Sequence, residues 1–453
     1  MAHDHCHCRD YTRSQLLRGA AAQAGKGLPA IETGRPVPAG TGLSRRSFVS
    51  RSAGLALAVY GATKLPLSAF EAGIAHAATP PKVLVSIFFD GGIDSLNVLA
   101  PINDSTYQGL RPTIALQSGL GFSEDSNLFW HPSAASLRTL HGEDKVTVFP
   151  AIGYTSPNQS HFTSRHYYEI GEVQVGANTG WLGRYIEQVG TDDNPLQGLS
   201  LSSELSPMLA TPSKPVAAVE SVTDYDLWNW ADSNPVRDNM FGSFGNLGTL
   251  SSDSPAMTQA RRAIGQTEQV REQLAGFSDF TSPVANLYPT NTGLSHRLSG
   301  LAAMLAAGLP VQVATLSAAG GYDTHENEAN TLASNLQRTT DAVLAFQRDL
   351  EARGLDDRVL IEMWSEFGRR PEENGGGTDH GAAGLAFVVG KHAGGTMIGG
   401  FPGLTSLDPH NNLQHTSDFR SMYCTLLESW LGVDAGPIIP GADTLPRYSA
   451  LID

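Results

Sequence analysis

An α/β sandwich with a mostly parallel central sheet is the fold this sequence predicts, and three observations predict it. The runs Lys82 to Phe89, Lys145 to Pro150, Val311 to Ser317 and Arg358 to Trp364 are rich in β-branched and aromatic residues and near-continuously apolar. Strands buried on both faces read this way, whereas half-solvated ones alternate. Helical stretches separate these runs, and no long antiparallel meander intervenes. Finally, several runs stop in glycine-rich polar loops, and in a doubly wound sheet ligands bind beyond the carboxyl ends of the strands.

In chain order, the first 77 residues read as an export signal rather than as part of the fold. Ser44-Arg45-Arg46-Ser47-Phe48-Val49 has the twin-arginine pattern, the apolar run Ala53 to Ala62 follows, and Ala75-His76-Ala77 supplies a small-x-small cleavage site. That run is too short to span a bilayer. The expectation is a chain carried by the twin-arginine translocation machinery, starting near Ala78 when mature, and periplasmic, cell-surface or extracellular. Cys6 and Cys8 lie in the leader, as does the rest of the metal-like cluster His3, His5 and His7, leaving Cys424 as a lone core thiol with no internal disulfide to form.

Residues 78–453 read as one α/β domain carrying an insertion. The strand at Lys82 to Phe89 ends in Asp90-Gly91-Gly92; a helix at Ser133 to Leu140 and the strand at Lys145 to Pro150 follow. A polar loop then leads to Ser160-His161-Phe162, with Ser160 as N-cap of a helix from Thr163 to Ile170. Residues 191–254, rich in Ser, Asn, Asp, Gly and Pro, read as an irregular insertion covering the sheet and packed down by Trp228 and Trp230. Helices at Ala256 to Leu274 and Leu294 to Ala307 precede the strand Val311 to Ser317, which opens into Gly320-Gly321-Tyr322-Asp323-Thr324-His325. A helix from Glu328 to Arg353 leads to the strand ending at Trp364. Ser365 to Gly381 is a polar, glycine-rich connection carrying Asp379-His380, Leu385 to Val389 is a strand, and Thr416 to Leu431 is a helix stopped by Gly432.

Charge limits the partners. The first 77 residues carry nine Lys/Arg against four Asp/Glu, so of the overall −15 the remainder bears −20. Nucleic acid and anionic membrane are excluded as main partners, because nothing in the mature chain would balance phosphate.

Four strand ends carry ionisable or nucleophilic groups: Asp90 with Asp94, Ser160 with His161, Asp323 with His325, and Asp379 with His380. Taken singly, Asp90 fits a turn cap, Ser160 a helix cap, and His161 or His325 a core histidine. Together they suit a divalent metal site of carboxylates and imidazoles around a hydroxyl nucleophile at a helix N-terminus. Arg165 and Arg369 could hold an anion bidentately, and Glu366 and His415 are further candidates.

These stretches resemble a known family. Phe89-Asp90-Gly91-Gly92-Ile93-Asp94-Ser95-Leu96-Asn97, Ser160-His161-Phe162, Gly321 to His325, Ser365 to Arg369, Gly377 to Gly381 and Thr416 to Arg420 together resemble the bacterial domain of unknown function 1501. Its members have twin-arginine leaders and look related to the alkaline phosphatase and sulfatase superfamily. The resemblance implies a three-layer α/β sandwich with Asp90, Asp323, His325, Asp379 and His380 as metal ligands, Asp94 beside them, and Ser160 as nucleophile. The Cys/Ser-x-Pro-x-Arg context of formylglycine sulfatases is absent around Ser160, and Asp323-x-His325 is spaced more closely than the phosphatase pair. The expected activity is metal-dependent hydrolysis of phosphate or sulfate esters, or of a related anionic small molecule or polymer. The alternative is a non-catalytic exported protein that binds carbohydrate or a partner on the same fold.

Overall fold

The computed structural model describes residues 81–453 apart from residues 224, 226–233 and 278, so the leader, Trp228 and Trp230 lie outside the described residues. In chain order the strands are β1 (Val83–Phe88), β2 (Leu99–Ala100), β3 (Leu120–Gly121), β4 (Phe129–Trp130), β5 (Val146–Gly153), β6 (Gly198–Ser200) and β7 (Ala217–Ala218). After these come β8 (Val313–Ser317), β9 (Val359–Trp364), β10 (Arg369–Glu373), β11 (Thr378–His380), β12 (Gly384–Val389) and β13 (Ser417–Asp418). Eight of them form the central sheet, in the order β13-β5-β12-β9-β1-β8-β6-β7; β10 and β11 make a hairpin, and β2, β4 and β3 a small separate sheet.

Every residue of β1, β5, β9 and β12 is buried, which is why their sequences do not alternate. Alternate residues nevertheless face different layers. Val83, Val85 and Ile87 pack with the helices Gly293–Ala306 and Glu328–Arg353, while Leu84 and Phe88 pack with Trp181, Phe419, Tyr423 and Trp430 on the other side. The result is a three-layer α/β sandwich with a mostly parallel sheet.

Three features depart from the expectations. Strand β12 runs antiparallel to both β5 and β9, so its amino end, not its carboxyl end, lies at the edge where β1 and β9 finish. Part of the segment read as a cover is sheet: Gly198–Ser200 and Ala217–Ala218 add parallel edge strands, too short to give a periodic signal. The helix expected from Thr416 starts at Phe419, because Ser417 and Asp418 first pair with β5, and the Asp418 carboxylate then caps the helix at Arg420 N, 2.8 Å away. Cys424 is buried in that helix, as expected. No helix among the described residues is long and apolar enough to cross a membrane.

One core group gives the fold a pH dependence. Glu362 in β9 is fully buried, and burial pushes its carboxyl up to about 8 against the lowering influence of the Ser86 and Tyr423 hydroxyls. Between the ordinary value of 4.5 and about 8 the folded protein therefore binds more protons at this group than the unfolded chain does, so stability falls as pH rises through that window. Glu362→Gln is expected to flatten the fall, by a few kcal/mol at most between pH 5 and pH 8, where ~1.4 kcal/mol corresponds to one pKa unit. Urea denaturation of both proteins at the two pH values measures it.

Candidate metal centre

Five neighbouring strands, β5, β12, β9, β1 and β8, bring their loops to one edge of the sheet. After β1 the chain turns through Gly91 and Gly92, both with positive φ. A Cβ on Gly91 would stand 2.3 Å from the Asp323 backbone nitrogen, so only glycine lets the loop after β8 approach this closely. The two glycine N–H groups donate to the carboxylate of Glu366, which follows β9: Gly91 at 3.1 Å and Gly92 at 3.0 Å.

Glu366 is fully buried and accepts from His161 Nδ1 at 2.7 Å. Burial alone would raise the Glu366 carboxyl, but the His161 contact outweighs it and holds the group below its usual value. His161 opens the helix His161–Ile170, and its Nε2 lies 3.6 Å from Asp323 Oδ2. Burial disfavours its charged form, yet the bonds to Asp323 and Glu366 prevail and push the imidazole up to about 9.

His380 is held in the same manner. Its Nδ1 lies 2.8 Å from the carbonyl oxygen of Gln159, which can only accept, so Nδ1 carries the proton and a neutral ring presents its Nε2 lone pair. That Nε2 is 3.3 Å from Asp323 Oδ1, and burial pushes the His380 imidazole down, toward its neutral form. His161, Asp323 and His380 thus offer donor atoms all within 4.8 Å of one another. Two imidazoles whose outer nitrogens are fixed by a carboxylate and a carbonyl, aimed with a carboxylate at one point, suit a divalent ion such as zinc.

His325 faces the set from its more open side, with Nε2 3.0 Å from both Asp323 Oδ1 and His380 Nε2, and Nδ1 3.3 Å from Asp379. Asp379 is half exposed and also accepts from Asn374. Despite partial burial, its carboxyl is held down by Asn374 and His325. Beneath the set lies the fully buried Arg369, whose Nη2 is 2.6 Å from Asp323 Oδ1. Burial would raise the Asp323 carboxyl, but the three histidines and Arg369 hold it far below the usual carboxylate range.

Of the other sequence candidates, Ser160 is the N-cap residue of the His161–Ile170 helix, yet its hydroxyl makes no capping bond. It stands between Gln159, which fixes His380, and His161. Asp90 and Arg165 flank the site, 3.9 Å apart, with Arg165 also bonded to Glu169 at 2.8 Å and lying over the Phe88 ring. Asp94 is drawn away from the ligand set: fully buried, it caps the short helix Ser95–Val98 and is bound through both oxygens by Arg111. His415 packs behind Gly153, outside the set. Gln159, Ser365, Arg111 and Glu328 are the supports that sequence reading passed over. Gln159 acts through its backbone; the Ser365 hydroxyl bonds both the adjacent Glu366 carboxylate at 3.0 Å and the distant Phe89 carbonyl at 2.8 Å, and Arg111 and Glu328 act through partners distant in the chain.

Glu366 is the support with the most to do. Glu366→Gln keeps the shape but offers His161 Nδ1 only a neutral partner, and loss of such support typically weakens metal binding ~10–100-fold. A competition titration of the variant against a zinc chelator is expected to show a loss of that size.

Fold and site together define an α/β protein of doubly wound type with a candidate His/Asp metal centre at the carboxyl edge of its sheet. Residues 155–434, well over half of the chain, match the family described as protein of unknown function (DUF1501), and the protein belongs to that family. No curated protein matches it. Among solved structures, it is similar to Ps i-CgsB in complex with k-i-k-neocarrahexaose, at 11% identity and a TM-score of 0.36 over 81% of this chain and 76% of that one. It is also similar to the zinc complex of the C-terminal periplasmic domain of EcEptC from Escherichia coli, at 9% identity and 0.33 over 70% and 75%. A third is a protein in the alkaline phosphatase superfamily from Vibrio parahaemolyticus, at 10% and 0.33 over 96% and 79%. Likenesses this distant leave the chemistry to be read from the side chains.

Proposed function

We propose that the protein is an exported metal-dependent hydrolase of phosphate or sulfate esters or of a related anionic substrate. The observation that carries this reading is the pair of histidines, His161 and His380, locked at Nδ1 by Glu366 and the Gln159 carbonyl so that both Nε2 atoms converge on Asp323. An ion bound there would act as a Lewis acid on a phosphoryl or sulfuryl oxygen and stabilise charge on the entering and leaving oxygens. Ser160 is the nucleophile in this reading, since its hydroxyl is not spent on capping and lies at the positive end of a ten-residue helix. The N–H groups at the amino end of that helix, where the dipole is positive, would receive the developing oxyanion. Arg165, its side chain 28% exposed beside Asp90, orients the anion in this reading.

Mature protein incubated with a panel of aryl phosphates and sulfates is expected to turn over at least one class, to lose turnover with a chelator and to regain it when metal is returned. Ser160→Ala is expected to lower kcat by 10³-fold or more, because an unassisted hydroxide replaces the covalent route. Absence of chelator-sensitive turnover across the panel would leave a binding role as the better reading. The export proposal rests on the twin-arginine pattern and cleavage site at residues 44–77. N-terminal sequencing of protein recovered outside the cytoplasm should begin near Ala78, and an intact leader would overturn it.

A further inference from the structure

We infer that the centre takes one divalent cation per chain, the guanidinium of Arg369 standing as a built-in positive charge where a second ion would have to share Asp323. The inference rests on reading the His/Asp set as a metal centre.

Two-metal hydrolytic sites hold their ions about 3.5–4 Å apart, with ligands shared between them. Asp323 is the natural bridge, since it is the carboxylate within the three-residue set. Its two oxygens are not equivalent. Oδ2 faces His161 Nε2 at 3.6 Å, whereas Oδ1 receives Arg369 Nη2 at 2.6 Å and His325 Nε2 at 3.0 Å. Arg369 cannot swing aside to free Oδ1. Its Nε donates to Gly92 O at 2.8 Å, Nη1 to Thr378 O at 2.7 Å, and Nη2 to Tyr322 O at 3.1 Å as well as to Gly91 O. Those bonds come from the loops after β1 and β8 and from β11, so the guanidinium is locked by the very segments that carry the ligands. An arginine is never deprotonated in such a setting, and its charge repels a second divalent ion at close range.

Two of the remaining strand-end carboxylates are matched to arginines, and the third, Asp379, accepts from Asn374 and lies 3.3 Å from His325. Asp94 is held by Arg111 with both groups fully buried, and Asp90 has Arg165 at 3.9 Å. Three Asp residues, 90, 94 and 323, are therefore each matched to an arginine, 165, 111 and 369. Among the described residues, the close donor atoms all gather on Asp323: those of His161 and His380, with His325 Nε2 3.0 Å from both Asp323 Oδ1 and His380 Nε2, so a second ion would have to compete for the same carboxylate.

Metal-free full chain titrated with Zn²⁺ by calorimetry, and with Co²⁺ by its visible absorption, tests this. Saturation at one equivalent, with elemental analysis of dialysed protein giving one ion per chain, is the expected result. Two equivalents of comparable affinity would overturn the inference while leaving the metal centre standing. No binding of either ion would instead overturn the metal-centre reading itself. Arg165→Gln separates the two arginines at the site: it is expected to bind one equivalent still, and a second equivalent appearing in this variant would assign the limit to Arg165 rather than Arg369.

Discussion

Asp323→Asn is expected to abolish metal binding at the proposed centre while leaving the protein folded. Asp323 is the single carboxylate in the ligand set, and the amide keeps its shape and one acceptor oxygen, so Arg369 retains a hydrogen bond where the negative charge is lost. Metal affinity should fall by more than the ~100-fold that loss of a mere supporting group produces. A second consequence concerns the metal-free protein. The depressed Asp323 carboxyl contributes stability that is present above the ordinary value of 3.8 and is lost as pH falls below it. Wild type should therefore exceed the variant in stability at pH 7, and the gap should begin to narrow only as the pH falls below 3.8. Chelator competition measures the first effect and denaturant titrations at pH 7 and pH 2.5 the second; a variant that binds metal as wild type does would remove Asp323 from the ligand set.

Arg111→Met is expected to have the largest effect on stability. Both members of the Asp94–Arg111 pair are fully buried, and the arginine also donates to the carbonyls of Arg370 and Pro371 in β10, at 2.9 and 2.8 Å. Burial would raise the Asp94 carboxyl, but Arg111 holds it down; the neighbouring Glu328 is instead raised, by burial and by the charge on Asp94. Glu328 in turn accepts from Asn97 at 3.0 Å and from Thr378 in β11 at 2.6 Å. Removing the arginine strands a carboxylate in the interior, which typically costs ~3–5 kcal/mol. It also releases the hairpin that carries Asp379 and His380, so metal affinity should drop with stability. Most of the cost comes from the orphaned charge, and the double variant Asp94→Asn/Arg111→Met should accordingly be more stable than Arg111→Met alone. Urea midpoints for the single and double variants decide the matter; a double variant no better than the single would mean that anchoring of the hairpin dominates.

The extent to which the site could be read in advance follows from how each residue acts. His161, Asp323, His325, Asp379 and His380 announce themselves by type and by position beside apolar runs and glycines, and the structure gathers all five at one edge of the sheet. Asp94 sits in the same kind of context four residues after Asp90, yet its surroundings are settled by Arg111, which no spacing in the sequence connects to it. Glu366 illustrates the same point from the other side. It was a candidate by type and by its place after an apolar run, but its bond to His161 spans 205 positions, so its work as the anchor of that imidazole has no local trace.

By itself, then, the sequence determined the long central strands and the long helices, since continuous apolar runs and their glycine stops are local consequences of burial on both faces. It also marked the loops whose ionisable residues the structure gathers at one edge of the sheet. The reversal of β12, which delivers Asp379 and His380 ahead of a strand instead of after one, depends on pairing between distant strands. So do the division of carboxylates among three arginines and the fixing of two imidazoles through Nδ1. Only tertiary structure decided these, because hydrogen bonds and ion pairs select partners by distance in space, and that distance exists only once the sheet has formed.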